Sequence, residues 1–291
     1  MIRAFFIKLL FCIFYKFLNM KILILWFLGL TITTSFSQIS QERLKHITNE
    51  NGLSNTTVNC IFQGSRGFMY FGTRDGLNRY DGINMMVFKN NPANPNSISD
   101  NFIRCIYETE NDQFWIGTSY GLNRFDRVNS KFISYKHNPK SNQSLSSSVI
   151  TSVSPADKNT LWIATLGGGL NYFDTKTGKA KHFRNSIKNK NSISSDSINC
   201  IFKDKQNRLW IGTQKGVDCI DTQNFSINSN ILNNANPIKA IVQDTNGFIW
   251  ISVENVGLIC FDAHANRIKL INNEKSNLNI ISLFIDKKGN L

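Results

Sequence analysis

After residue 40, apolar positions come in short alternating runs, and glycine, asparagine, serine and aspartate interrupt each run before three helical turns could form. One phrase recurs: Phe68-Met69-Tyr70-Phe71-Gly72-Thr73, Phe114-Trp115-Ile116-Gly117-Thr118, Leu161-Trp162-Ile163-Ala164-Thr165, Leu209-Trp210-Ile211-Gly212-Thr213 and Ile249-Trp250-Ile251-Ser252-Val253. The anchors Tyr70, Trp115, Trp162, Trp210 and Trp250 lie 45, 47, 48 and 40 residues apart. This chain is a repeat protein.

The β-branched and aromatic anchor run suits a half-buried strand. A glycine turn follows (Arg74-Asp75-Gly76, Ser119-Tyr120-Gly121, Gln214-Lys215-Gly216), then a second run closing on Tyr80-Asp81, Phe125-Asp126, Phe173-Asp174, Ile220-Asp221 or Phe261-Asp262, so the two runs read as a hairpin. Another apolar alternation stands about ten residues before each anchor, as in Val58 to Phe62, Ile103 to Tyr107 and Ile198 to Phe202. A weaker fourth run follows the aspartate. Four strands per unit at this period predict an all-β fold, a β-propeller of four-stranded blades, with five complete blades and the start of a sixth at Leu278 to Lys288. An α-solenoid of similar repeat length fits this interrupted pattern badly. The small residue after each anchor (Gly72, Gly117, Ala164, Gly212, Ser252) is expected to let neighbouring blades stack, and the anchors to fill the space between blades as core.

The opening Asn51-Gly52-Leu53-Ser54-Asn55, the Arg66-Gly67-Phe68 turn and the phrase from Phe71-Gly72-Thr73 to Tyr80-Asp81-Gly82 resemble the two-component regulator propeller. The likeness runs from about residue 43 to the end. Blades 3 and 5 depart from it by one extra turn residue each (Leu166 to Gly169, Glu254 to Gly257). The resemblance implies the periplasmic sensor region of hybrid two-component histidine kinases, found mostly in Bacteroidetes, with propellers of about seven blades, a membrane span and a kinase core. Against that layout the sequence reads as an amino-terminal fragment that stops inside a strand, with the remainder of the sensor kinase chain as its partner. The resemblance also implies an oligosaccharide ligand, signalling to carbohydrate-utilisation genes, and a homodimer in the full-length protein.

Residues 1–37 read as a signal peptide, with translation starting either at Met1 or at Met20. Lys21 is the positive region, Ile22 to Leu30 the apolar core, and Ser35-Phe36-Ser37 the small-residue site before Gln38. The propeller repeats then occupy 38–291, exported to the periplasm, with the full-length parent anchored in the inner membrane. In that oxidising setting Cys60, Cys105 and Cys200 fall ten residues before their anchors, and Cys219 and Cys260 share a second equivalent position. They read as buried thiols acting as small hydrophobes, with adjacent-blade bridges Cys60–Cys105 and Cys219–Cys260 left open.

The net charge is +13, and removing Arg3, Lys8, Lys16 and Lys21 with the leader leaves 29 basic against 20 acidic residues. Such an excess could attract an anionic partner, but the lysines and arginines are scattered through loops, without the stripe of a nucleic-acid binder. No Cys-x-x-Cys spacing suggests a metal, and no cofactor motif is present. His46, His137, His182 and His264 fall at unrelated blade positions. The aspartates that close each second run read as turn formers, not as a catalytic pair. No catalytic residue is assigned and the chain does not read as an enzyme.

By parity of an up-and-down meander, the long inter-blade connections share a face with the turns between the second and third strands. A ligand is expected there, where loops sit on a rigid scaffold. Arg74, Asp75, Tyr120, Lys215 and Glu254 are the candidates: Tyr120 could stack on a sugar ring, and Arg74 could pair with a carboxylate or sulfate. The alternatives are an exported interaction or adhesion propeller without a kinase, and a propeller-fold polysaccharide lyase or hydrolase.

Overall fold

The computed structural model describes residues 46–232, 236–262, 267–271, 280–286 and 288–291. The signal-peptide reading of residues 1–37, the alternative start at Met20 and the cleavage before Gln38 lie outside the described residues, as do His264 and Leu278. Among the described residues, apart from a short 3-10 turn at Asn49–Asn51, the regular structure is all β. It forms five antiparallel four-stranded sheets, the blades of a β-propeller.

Blade 1 contains β1 (Val58–Gln63), β2 (Met69–Thr73), β3 (Gly76–Tyr80) and β4 (Met85–Phe88); blade 2 contains β5 (Ile103–Glu108), β6 (Phe114–Thr118), β7 (Gly121–Asp126) and β8 (Lys131–Tyr135). Blade 3 contains β9 (Ile150–Asp157), β10 (Thr160–Thr165), β11 (Gly169–Asp174) and β12 (Ala180–Phe183). Blade 4 contains β13 (Ile198–Lys203), β14 (Arg208–Thr213), β15 (Gly216–Asp221) and β16 (Ile227–Asn228), and blade 5 contains β17 (Ile238–Gln243), β18 (Ile249–Val253), β19 (Gly257–Phe261) and β20 (Arg267–Ile271). The first strands β1, β5, β9, β13 and β17 touch in succession and line the axis. Residues 280–286 pair with no described strand, yet the turn after them is formed. Asp286 accepts the amides of Lys288 and Asn290, as Asp244 accepts those of Asn246 and Phe248.

The core lies between blades, as the spacing of the anchors predicts. Tyr70 packs with Ile103, Phe114 and Phe125 of the next blade, and Trp115 with Ile150, Leu161 and Phe173. Trp162 packs with Ile198, Leu209 and Ile220, and Trp210 with Ile238, Ile249 and Phe261. Trp250 is half-buried.

The small residue after the anchor is set by two neighbours at once. A Cβ on Gly117 would stand 2.4 Å from Cys105 Sγ, across the ladder, and 2.7 Å from Ile150 Cγ2 of the next blade. Gly72 meets Cys60 and Ile103 in the same way, and Gly212 meets Cys200 and Ile238. Where the chain carries Ala164, its ladder partner is Ser152, and opposite Ser252 stands Ala240. The pair fills one space, so cysteine appears where glycine faces it. Cys60, Cys105, Cys200 and Cys219 are free thiols, so the Cys60–Cys105 bridge is not formed. Burial pushes Cys105, Cys200 and Cys219 up to about 12, which keeps them protonated and apolar in character.

Polar side chains inside this core are matched in groups. In blade 2 the Ser99 amide donates to Asn123 Oδ1 at 2.9 Å, Asn123 Nδ2 donates to Ser99 Oγ at 2.8 Å, and Ser99 Oγ meets Thr118 Oγ1 at 2.9 Å. Ser54–Asn78–Thr73 and Ser146–Asn171–Thr165 repeat the arrangement. Blade 4 places Asp218 where blades 1 to 3 have asparagine and blade 5 has Ile259, and burial raises its carboxyl above the ordinary range. Asp204 Oδ2 accepts Trp210 Nε1–H at 2.8 Å and Arg208 Nε–H at 2.7 Å, and Asp244 accepts Trp250 Nε1–H at 2.9 Å. In blades 2 and 3 the residues six before the anchor are Thr109 and Ala156, and the buried Nε1–H groups of Trp115 and Trp162 have no protein acceptor among the described residues.

Candidate functional site

Each first strand contains a residue near its start that the ladder skips, and β9 skips a second, Ala156, near its end. Val58 pairs with Thr73 and Cys60 with Gly72, which leaves Asn59 bulged. The same shift leaves Arg104, Thr151, Asn199 and Lys239 bulged in blades 2 to 5. A bulge re-aims its side chain out of the pleat. Here it does so at the same place in all five blades, and the five side chains line one cavity of about 380 Å³ at the axis, together with Phe102, Leu166 and Gln214.

Some of these side chains brace the blades. Asn59 Nδ2 donates to the Ile103 carbonyl at 2.8 Å, and Asn199 Nδ2 to the Ile238 carbonyl at 2.9 Å. Gln214 Nε2 donates to Asn199 Oδ1 at 2.8 Å. Arg104 is held from two sides: Nε donates to Ser119 Oγ at 2.9 Å, and the guanidinium lies over the Phe102 ring at 4.7 Å, with Arg74 over the same ring at 5.9 Å. Its pKa is lowered because burial penalises the charge. Lys239 Nζ pairs with Glu254 Oε1 at 2.9 Å.

The five turn residues singled out from the sequence divide between two places. Arg74 and Glu254 occupy the first turn position, beside the axis, along with Ser119, Leu166 and Gln214. Asp75 and Tyr120 occupy the second and turn to the inter-blade connections. Lys89 Nζ donates to Asp75 Oδ2 at 2.6 Å, and Lys136 Nζ lies 4.4 Å over the Tyr120 ring. Lys215 takes the same second position, its amide donating to Thr213 Oγ1 at 3.0 Å. The connections and turns therefore share one face: the Gly76 amide donates to the Asn101 carbonyl and the Gly169 amide to the Asp196 carbonyl, each at 2.8 Å. The bulged residues were missed from the sequence, although a signal exists. Each first strand has a polar residue immediately after its first aliphatic one, in every repeat.

The remaining polar candidates belong to turns. Asp81, Asp126, Asp174 and Asp221 each accept the amide two residues ahead; hydrogen bonds from the residue three ahead (the Asn84 and Thr177 amides, the Asn129 side chain), with those nearer amides, hold the first three carboxyls below the usual range. His137 Nδ1 lies 2.7 Å from the Leu145 carbonyl and His182 Nε2 2.7 Å from the Ser144 carbonyl, in a connection between blades.

Comparison with known proteins bears on this arrangement. The two component regulator propeller family matches residues 52–75, 97–120 and 192–215. Each segment begins two residues before the serine of a polar group (Ser54, Ser99, Ser194) and ends one residue before the turn glycine (Gly76, Gly121, Gly216). Histidine kinase P4 of Formosa agariphila is 41% identical over 56 residues, which are 19% of this chain and 4% of that protein. The extracellular domain assigned to a hybrid two component system of B. thetaiotaomicron superposes with a TM-score of 0.59 at 21% identity, over 84% of this chain and 40% of that one. Virginiamycin B lyase of Staphylococcus aureus gives 0.62 at 12% identity, over 82% of this chain and 76% of that one. These structural likenesses establish a shared propeller fold. The chain spans well under half the length of the kinase-associated relatives.

Proposed function

We propose that this chain, which carries two-component regulator propeller repeats, belongs to the periplasmic ligand-sensing propeller of a hybrid two-component sensor histidine kinase whose parent is anchored in the inner membrane. The observation that carries the reading is the bulge repeated in five blades. A bulge interrupts the ladder and leaves backbone groups unpaired, and its recurrence at one register aims Asn59, Arg104, Thr151, Asn199 and Lys239 at one cavity. The amides of Asn59, Asn199 and Gln214 offer both donors and acceptors, which suits the hydroxyls of an oligosaccharide.

A ligand held there contacts several blades at once and favours the blade packing that binds it best, altering the propeller's geometry by its differential affinity. In the parent protein that bias passes to the remainder of the kinase chain, in a homodimer, and so to transcription of carbohydrate-utilisation genes. The shared fold with virginiamycin B lyase extends to an enzyme, but at 12% identity it transfers no chemistry.

The test is a transcriptional reporter for the parent protein, exposed to a panel of oligosaccharides. Replacing Asn199 and Lys239 together with alanine is expected to abolish induction while export and abundance are unchanged. Undiminished induction would refute the axial site. Turnover of a polysaccharide by the complete ectodomain would replace the sensor reading with the lyase or hydrolase.

A further inference from the structure

Arg104 and Lys239 are the charged residues lining the axial cavity, and of the two only Lys239 is ion-paired among the described residues. Arg104 and Arg74 make no ion pair among the described residues, and Asp75, next to Arg74 in sequence, is engaged by Lys89. Glu254 faces the same end of the axis, and Lys239 already holds it. Arg104 is the informative group. Ser119 and the Phe102 ring fix its plane while occupying only Nε and one face, so the two terminal nitrogens remain as a donor fork beside the cavity. An arginine pre-positioned in this way, half-desolvated and with Asp100 acting on its charge from nearby but not ion-paired with it, is matched by a planar or tetrahedral oxyanion.

We infer that the axial cavity binds an anionic group, the carboxylate or sulfate of an acidic saccharide, with the Arg104 fork as its primary contact and the Lys239–Glu254 pair as a competing brace. The inference rests on the sensor reading for the saccharide and adds its charge. Arg74, 5.9 Å from the same Phe102 ring, places a second cation nearby. Glu254 opposes the anion directly and also withholds Lys239 from it. Removal of the Glu254 charge therefore strengthens binding, an outcome that a merely structural ion pair would not give.

The experiment is calorimetric titration of the full chain with three probes: a galacturonic acid oligomer, a sulfated galactose oligomer and the neutral galactose oligomer of equal length, with inorganic sulfate as a fourth arm. One or both acidic oligomers are expected to bind and the neutral one not. Arg104→Gln is expected to weaken binding by roughly tenfold to a hundredfold, the range of one lost charge-assisted contact. Glu254→Gln is expected to tighten it several-fold, which reports on the site even if the arginine variant misfolds. Sulfate binding as tightly as the sulfated oligomer would locate recognition in the oxyanion alone, which still supports an anion site. Binding by none of the anionic probes, equal binding of the neutral oligomer, or an unchanged affinity in both variants would overturn the inference. A neutral oligomer that bound and was lost in Arg104→Gln would leave the sensor reading standing and remove only the anion.

Discussion

The exchange of space between glycine and cysteine makes a quantitative prediction. Gly117→Ala places a methyl carbon 2.4 Å from Cys105 Sγ and 2.7 Å from Ile150 Cγ2, two contacts far inside van der Waals distance, with Ile150 Cβ at 3.1 Å. Cys105 belongs to the same blade and Ile150, fully buried, to the next, so relief requires repacking on two sides at once. Overpacking of this kind costs about 1–3 kcal/mol. Blade 3 already accommodates the methyl, because Ala164 faces Ser152 where Gly117 faces Cys105. Cys105→Ser shortens the side chain and eases one of the two close contacts while leaving Ile150 in place, so the double variant should recover part of the loss. Cys105→Ser alone should cost about 1 kcal/mol for its buried hydroxyl. The assay is urea denaturation followed by far-ultraviolet circular dichroism, with the midpoint read at constant slope. The four proteins form a double-mutant cycle, and the expected coupling is about 1 kcal/mol in favour of the pair. Additive losses, or a Gly117→Ala variant as stable as the parent, would refute the shared-space account.

Two further predictions follow from the buried polar groups. Asp204→Ala removes the acceptor of both Trp210 Nε1–H and Arg208 Nε–H, and should destabilise by about 3–5 kcal/mol. Asp244→Ala, beside a half-buried Trp250, should cost clearly less; equal losses in urea denaturation would contradict the assignment. Asp218 titrates above its ordinary 3.8 because burial disfavours the charge, so the native state holds the proton more tightly than the unfolded chain. Its contribution is fully present below pH 3.8 and is lost as pH rises through the folded pKa. Asp218→Asn should therefore stabilise at pH 7 by about 1 kcal/mol and gain little near pH 3, and an equal gain at both pH values would count against this.

The repeat was legible because its signals are local. Trp115-Ile116-Gly117 reads as a strand, Tyr120-Gly121 as a turn and Phe125-Asp126 as a strand end within a dozen residues, and the spacing of the anchors sets the blade. Local bonding explains why the aspartates could be read as turn formers: Asp126 accepts Val128 N–H and Asn129 N–H, both within three residues. The candidate site was only half legible, since Arg74 and Asp75 look equivalent in the sequence. Their destinations differ because Arg74 meets Phe102 at the axis, whereas Asp75 meets Lys89 at the start of a connection between blades.

By itself the sequence determined the all-β class, the blade length, the hairpins and the inter-blade role of the anchors, since each depends on which residues lie near one another along the chain. Tertiary structure alone decided the rest. The direction of Arg104 or Lys239 depends on a ladder shift between two strands. The need for glycine at 117 depends on Ile150 arriving from the next blade. Trp210 Nε1–H has its acceptor and Trp162 Nε1–H has none among the described residues, because Asp204 stands six residues before the first anchor and Ala156, still within β9, six before the second. Each of these outcomes is fixed by groups meeting across strands or across blades, and alternation along a single strand carries no record of that meeting.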